Sequence, residues 1–228
     1  MKKHSPGIFR QETEDYLEHL MPPRKPLYAE IEAAARRRGA LASPELGKLL
    51  QCLSRGAMAR SILQIGVGDG YETLWLASGS LPLEITVIDE ESEAFDRVED
   101  LLHRDGFAGV LKPREGELFR VLQTLEGEFD LVYLKAGSSH YRRCLDLILP
   151  RVRVGGLVVV NNLLLGGAIS APADFEGGVD EETLRAIRAF NGYFMVHPQL
   201  CSVILPVAQG IGLATKLKPL VTEMGGPF

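Results

Sequence analysis

The stretch that most constrains this chain is Ser61-Ile62-Leu63-Gln64-Ile65-Gly66-Val67-Gly68-Asp69-Gly70-Tyr71. An apolar run, Ile62 to Ile65, ends in three glycines at alternate positions. A helical pattern starts at once, with Tyr71, Leu74, Trp75 and Ala77 on one face. That succession predicts strand, tight turn and helix. Glycine tolerates the backbone angles of such a turn and lets the main chain come close to a ligand. The helix start offers free N–H groups and a partial positive charge to an anionic group. The spacing is G-x-G-x-G, because Tyr71 stands where a dinucleotide fingerprint has its third glycine. A purely structural turn is the alternative.

Beyond Gly70 the chain alternates. Strands are expected at Glu84 to Ile88, Gly109 to Lys112, Phe129 to Leu134 and Leu157 to Val160. Helices are expected at Ser92 to Arg104, Leu118 to Leu125 and His140 to Leu149. Alternation with continuously apolar strands implies a parallel sheet covered on both faces. Ligands of such sheets sit beyond the carboxyl ends of the strands, which carry Gly66, Asp89, Lys135 and Asn161. The glycine-rich stretch from Leu163 to Asp180 reads as a long surface loop over the site. After a helix from Glu181 to Phe194, two strands, Cys201 to Leu205 and Ile211 to Thr215, are joined so briefly that they must be antiparallel. Ahead of the glycine turn, helices are expected at Gln11 to Leu20, Leu27 to Arg38 and after the Ser43-Pro44-Glu45 cap.

At 228 residues, with 46% apolar side chains, one domain with a short N-terminal addition is expected. The boundaries drawn are 1–42 for a helical extension and 43–228 for the main domain. A net charge of −5 with no basic stripe argues against a nucleic-acid partner. No apolar run is long enough for a membrane span and no signal core opens the chain, so a cytoplasmic protein is expected. Cys52, Cys144 and Cys201 match no metal or disulfide spacing and are expected to pack as small hydrophobes.

Asp89, about 20 residues past the turn, can accept both hydroxyls of a ribose; otherwise it is an exposed acid in the run Asp89-Glu90-Glu91. The backbone at Glu117 and Leu118 can edge a purine, or merely start a helix. With these residues placed, the chain resembles the catechol- and caffeoyl-CoA-type O-methyltransferases, which use S-adenosylmethionine. The resemblance spans about residues 43–216. It rests on Ser43-Pro44-Glu45-x-Gly47, the Ile-Gly-x-x-x-Gly-Tyr at 65–71, Ile85 to Asp89, Phe129 to Val132 with Tyr141, Gly155-Gly156 through Asn162 with Gly166, and Leu205-Pro206-Val207 with Gly210. It implies a Rossmann-like, doubly wound α/β fold with seven strands, the last antiparallel. It also implies S-adenosylmethionine across Gln64, Gly66, Gly68, Gly70, Glu72, Asp89, Glu117 and Leu118, and commonly a homodimer, to which Leu163-Leu164-Leu165 and the final strands would offer apolar surface.

The family also implies a divalent metal, held by an Asp at the end of the fourth strand and an Asp-Asn pair at the end of the fifth. Here Lys135 falls on the first of these acids and Asn161-Asn162 on the pair. Hard cations want carboxylate oxygens. An ammonium about 4 Å from a doubly charged ion adds roughly 8 kcal/mol of repulsion at an effective dielectric of 20. No metal is therefore expected. Glu72 replaces a serine whose hydroxyl meets the methionine carboxylate, and would repel that group unless it turns away or pairs with a cation. The resulting expectation is a metal-independent methyltransferase acting on a small hydroxylated, aromatic molecule. Lys135 would position or deprotonate the acceptor, Asn162 would hydrogen-bond it, and His140 is a second candidate base. The alternatives are a nucleoside-binding protein that has lost the reaction, and a cyclisation or decarboxylation on the same scaffold.

Overall fold

The computed structural model describes residues 11–39, 42–79, 83–170 and 179–218. Seven strands form one sheet in the order β3-β2-β1-β4-β5-β7-β6. They are β1 Ser61–Ile65, β2 Glu84–Asp89, β3 Val110–Glu115, β4 Phe129–Leu134, β5 Val152–Val160, β6 Leu200–Leu205 and β7 Ile211–Lys216. The first five run parallel, and β7 lies antiparallel between β5 and β6. This is the covered parallel sheet expected from the alternation, in the Rossmann-like doubly wound form that the family resemblance implies.

Each helix forms where its local sequence favours it. Ser43 caps α3 (Pro44–Gly56), its hydroxyl accepting from Leu46 N at 3.1 Å. Helix α5 (Ser92–Asp105) buries Ala94, Phe95, Val98, Leu101 and Leu102, the stripe its periodicity predicts. Strand residues alternate between two cores. Ile62, Leu131 and Tyr133 face one together with α3, α4 (Tyr71–Ala77) and α5; Leu63, Val132 and Leu134 face the other, with α7 (Tyr141–Ile148) and α8 (Glu181–Met195). Helix α2 (Pro26–Arg38) enters the first core through Leu27, Tyr28 and Ile31. The rings of Tyr28, Tyr71 and Trp75 meet edge to face there. Helix α1 (Gln11–Leu20) leaves Tyr16 and Leu20 exposed.

Several expectations need correction. Strand β5 begins at Val152, not after the Gly155-Gly156 pair. The two glycines sit inside it, Gly155 at φ 78°, and the pairing with β4 shifts register between Phe129 and Leu131. Strand β3 runs on to Glu115, because as an edge strand it can extend with polar residues facing solvent. Only Cys144 is a buried cysteine; Cys52 and Cys201 are exposed, one on the outer side of α3 and one on the edge strand β6. Leu163 is fully buried and Leu164 and Leu165 half-buried, so this triplet offers little free apolar surface. Within the expected loop, Leu165–Ser170 holds short 3₁₀ turns broken by a kink at Gly166 and Gly167, while residues 171–178 lie outside the described residues. Among the described residues no helix is long and apolar enough to cross a membrane.

Candidate active site

Four strand ends line up along one edge of the sheet, because each ladder extends by one hydrogen bond. Gly66 N donates to Ile88 O (2.9 Å), Lys135 N to Ile65 O (2.9 Å) and Asn161 N to Leu134 O (3.0 Å). Asp89, Gly66, Lys135 and Asn161 thus stand side by side.

The glycine turn is built as its sequence requires. Gly66, Gly68 and Gly70 all have positive φ, 77°, 62° and 83°. At Gly66 a Cβ would also lie 1.9 Å from the carbonyl oxygen of Lys135, so the two strand ends can approach only with glycine there. Asp89 closes the turn from the neighbouring strand. One carboxylate oxygen accepts from Val67 N (2.8 Å) and the other from Glu90 N (2.8 Å) and Glu91 N (3.3 Å). The oxygen bound to Val67 N keeps acceptor capacity for a further donor.

Beneath the turn lies a cluster of polar groups. Lys135 Nζ donates to Glu72 Oε1 at 3.0 Å; the lysine side chain is 35% exposed and the glutamate 8%. The ammonium stands 3.2 Å from where a Cβ of Gly68 would lie, directly against the turn. The two residues that depart most from the family pattern are therefore partners, and Glu72 resolves its charge by pairing with a cation. Gln64 is fully buried, its amide donating to Gly66 O (3.2 Å). Tyr133, its register partner on β4, is also fully buried. Burial first, and then the Glu72 carboxylate, push the Tyr133 phenol well above its usual range, so it remains a neutral hydroxyl. Sequence reading passed over Tyr133. The available clue was a lone hydroxyl in the otherwise aliphatic stretch Leu131-Val132-Tyr133-Leu134.

Asn162 follows β5 at φ 62°, with its Oδ1 buried and without a hydrogen-bond partner. The chain beyond it is anchored by Leu163 N to Gly210 O (2.8 Å) and Leu164 N to Gln209 O (3.0 Å). Tyr141, at the start of α7, donates to Asn161 O at 2.8 Å. His140 stands edge-on to Phe119 of α6 (Leu118–Thr124) at 5.1 Å, while the Arg143 guanidinium covers the same Phe119 ring. The Glu117 carboxylate accepts from Phe119 N (3.0 Å) and Arg120 N (2.9 Å), capping its own helix. Those bonds hold its carboxyl below the usual range.

The donor set at the strand ends does not suit a divalent metal. It offers an ammonium already paired with an acid, and amides where a hard cation needs carboxylates. Among the described residues no group of three or more His, Cys, Asp or Glu side chains is placed to hold a metal ion. The turn, Asp89 and the unpartnered buried atoms of Glu72 and Asn162 do fit a polar organic ligand with a ribose. A separate cavity of about 500 Å³ opens at the amino ends of the strands, between Ser61, Glu84, Lys112, Arg114 and Phe129. It lies away from all of these groups.

Known proteins place the chain. Tricin synthase 2 from Oryza sativa subsp. japonica is 31% identical over 183 residues, covering 76% of this chain and 62% of that protein. The chain thus spans less than two thirds of that relative's length. Caffeoyl-CoA O-methyltransferase from Eucalyptus gunnii is 27% identical over 187 residues, covering 77% of this chain and 74% of the enzyme. Among solved structures, the O-methyltransferase TomG from Streptomyces achromogenes, in complex with SAM, superposes with a TM-score of 0.75 at 25% identity. That match covers 92% of this chain and all of TomG (100%). The sequence profile of the O-methyltransferase family matches residues 29–217, and the chain belongs to that family.

Proposed function

We propose that this protein transfers a methyl group from S-adenosylmethionine to the hydroxyl of a small aromatic molecule, without a divalent metal. The observation that carries the reading is Lys135: a cation stands at the glycine turn, at the strand end where the family carries an acid. S-adenosylmethionine, when bound, supplies the methyl group on a sulfonium centre. The acceptor oxygen gains that methyl as the carbon–sulfur bond breaks, and its own proton must leave. Lys135 stabilises the negative charge that develops on the oxygen. Asn162 hydrogen-bonds the acceptor, and His140 takes the proton, directly or through water. Gly66, Gly68 and Gly70 let the main chain approach the cofactor, Asp89 accepts the ribose hydroxyls, Gln64 and Glu72 lie under the amino-acid end, and Glu117 and Leu118 edge the purine. Much of the acceleration comes from holding acceptor and methyl group together.

A cytoplasmic homodimer is part of the same reading, supported by the partly exposed Val203 on the edge strand β6. Sedimentation giving a single 25 kDa species at micromolar concentration counts against it. Within the extension drawn at 1–42, helix α2 buttresses the domain at 43–228 through Leu27, Tyr28 and Ile31.

Methyl transfer from labelled cofactor to a panel of phenols, with and without EDTA, tests the reaction. Transfer that survives chelation and gains nothing from magnesium is expected. Activity abolished by EDTA and restored by magnesium overturns the metal-free mechanism, and no transfer to any acceptor overturns the enzyme reading.

A further inference from the structure

Three polar side chains beneath the glycine turn have hydrogen-bonding capacity that the protein leaves unused. Gln64 and Tyr133 are fully buried and Glu72 is 6% exposed. Gln64 Oε1, the Tyr133 hydroxyl and Glu72 Oε2 are all buried and without a hydrogen-bond partner. Lys135 engages only the other oxygen of Glu72, at 3.0 Å. Gln64 and Tyr133 are register partners on β1 and β4, on the sheet face covered by α4, which carries Glu72.

Buried acceptors left unsatisfied are costly, and a buried carboxylate oxygen most of all. A group that relieves this set must bring several donors and a positive charge. A primary ammonium has three donors and no acceptor. A carboxylate or phosphate would meet the Gln64 carbonyl and the Glu72 carboxylate, with only the Tyr133 hydroxyl able to donate to it, and be repelled.

We infer that Glu72 is the acceptor for the α-ammonium of the cofactor's amino-acid tail, with Gln64 and Tyr133 lining the same subsite. A residue that in the wider family is a serine directed at the tail's carboxylate thus recognises its opposite pole in this chain. Lys135 is the counter-ion that holds the other oxygen of Glu72 under the turn. When the α-ammonium takes its share of Glu72, the Lys135 ammonium is left better able to hold the acceptor oxygen. The assignment rests on the cofactor reading given above.

Calorimetry on the full chain tests it with three nucleosides: S-adenosylhomocysteine, its analogue lacking the α-ammonium, and 5′-methylthioadenosine, which lacks the whole tail. Wild-type protein should lose about 10- to 100-fold in affinity between the first and the second, the range of a charge-assisted hydrogen bond. Glu72→Gln should bind S-adenosylhomocysteine weaker by a similar factor and no longer distinguish it from the analogue. Its unchanged affinity for 5′-methylthioadenosine would show that the fold and the nucleoside end are intact. Wild-type protein binding the first two ligands equally overturns the assignment, even if Glu72→Gln does not fold, and so does Glu72→Gln retaining wild-type discrimination. If wild-type protein binds none of the three, the cofactor reading falls and the assignment with it; 5′-methylthioadenosine binding without a contribution from the tail overturns the assignment alone.

Discussion

Gly66 is held by two constraints at once, a φ of 77° and a carbonyl oxygen 1.9 Å from the position of an added Cβ. Gly66→Ala should lower stability by about 3 kcal/mol or more, as strain in the left-handed region adds to overpacking; denaturant unfolding measures it. The Tyr71 hydroxyl is 2.6 Å from Glu32 Oε1 in the core, where burial and then that bond raise the phenol beyond the usual tyrosine range. Tyr71→Phe should cost about 1–2 kcal/mol, since Glu32 keeps only Arg24. Lys135→Met should lower kcat at saturating cofactor by about 10²-fold if the ammonium stabilises the oxyanion. Full turnover in that variant would move the search for the reacting group to His140. The glycines and Asp89 were legible from spacing. The Lys135–Glu72 pair was not, because 63 residues separate its members and nothing local links them.

At the scale of elements, the Asp130 carboxylate at the start of β4 ties three segments together. It accepts from Arg60 N (2.8 Å), Ser61 N (2.9 Å) and the Arg153 guanidinium of β5. Burial alone would raise its carboxyl, but the two backbone bonds and Arg153 outweigh it and leave it below the ordinary 3.8. A depressed carboxyl contributes stability that is complete above its unfolded value and disappears as pH falls through the folded one. Asp130→Asn should therefore be less stable than wild type at pH 7, and the difference should begin to shrink as pH falls through about 3.8 and vanish only below the still lower folded value. Thermal melts across pH 3 to 7 would show this. The inner parallel strands β1, β2 and β4 were readable because they are buried on both faces. The start of β5 was not, since Gly155 and Gly156 look like a boundary locally and are a register shift in the sheet.

Across the whole molecule, the three thiols separate by burial. Cys144 is enclosed in the second core, which pushes its thiol up to about 12, whereas Cys52 and Cys201 are exposed. A thiol reagent at pH 8 should titrate two groups in the native protein and three after denaturation. A third reactive thiol in the native state would place Cys144 outside the packed core.

Periodicity, glycine placement and capping residues determined on their own the order of strands and helices, the parallel sheet, the antiparallel pairing of β6 with β7, and the edge at which Asp89, Gly66, Lys135 and Asn161 meet. These follow from short-range rules, since alternation, turn chemistry and crossover geometry act within tens of residues. Only the tertiary structure decided which charges neutralise one another and which buried atoms stay unpartnered. It paired Glu72 with Lys135, set Tyr133 beside Gln64 under the turn and set His140 edge-on to Phe119. Electrostatic and hydrogen-bond partners are fixed by distance in space, and the distance between residues 72 and 135 exists only once β1, α4 and β4 have packed.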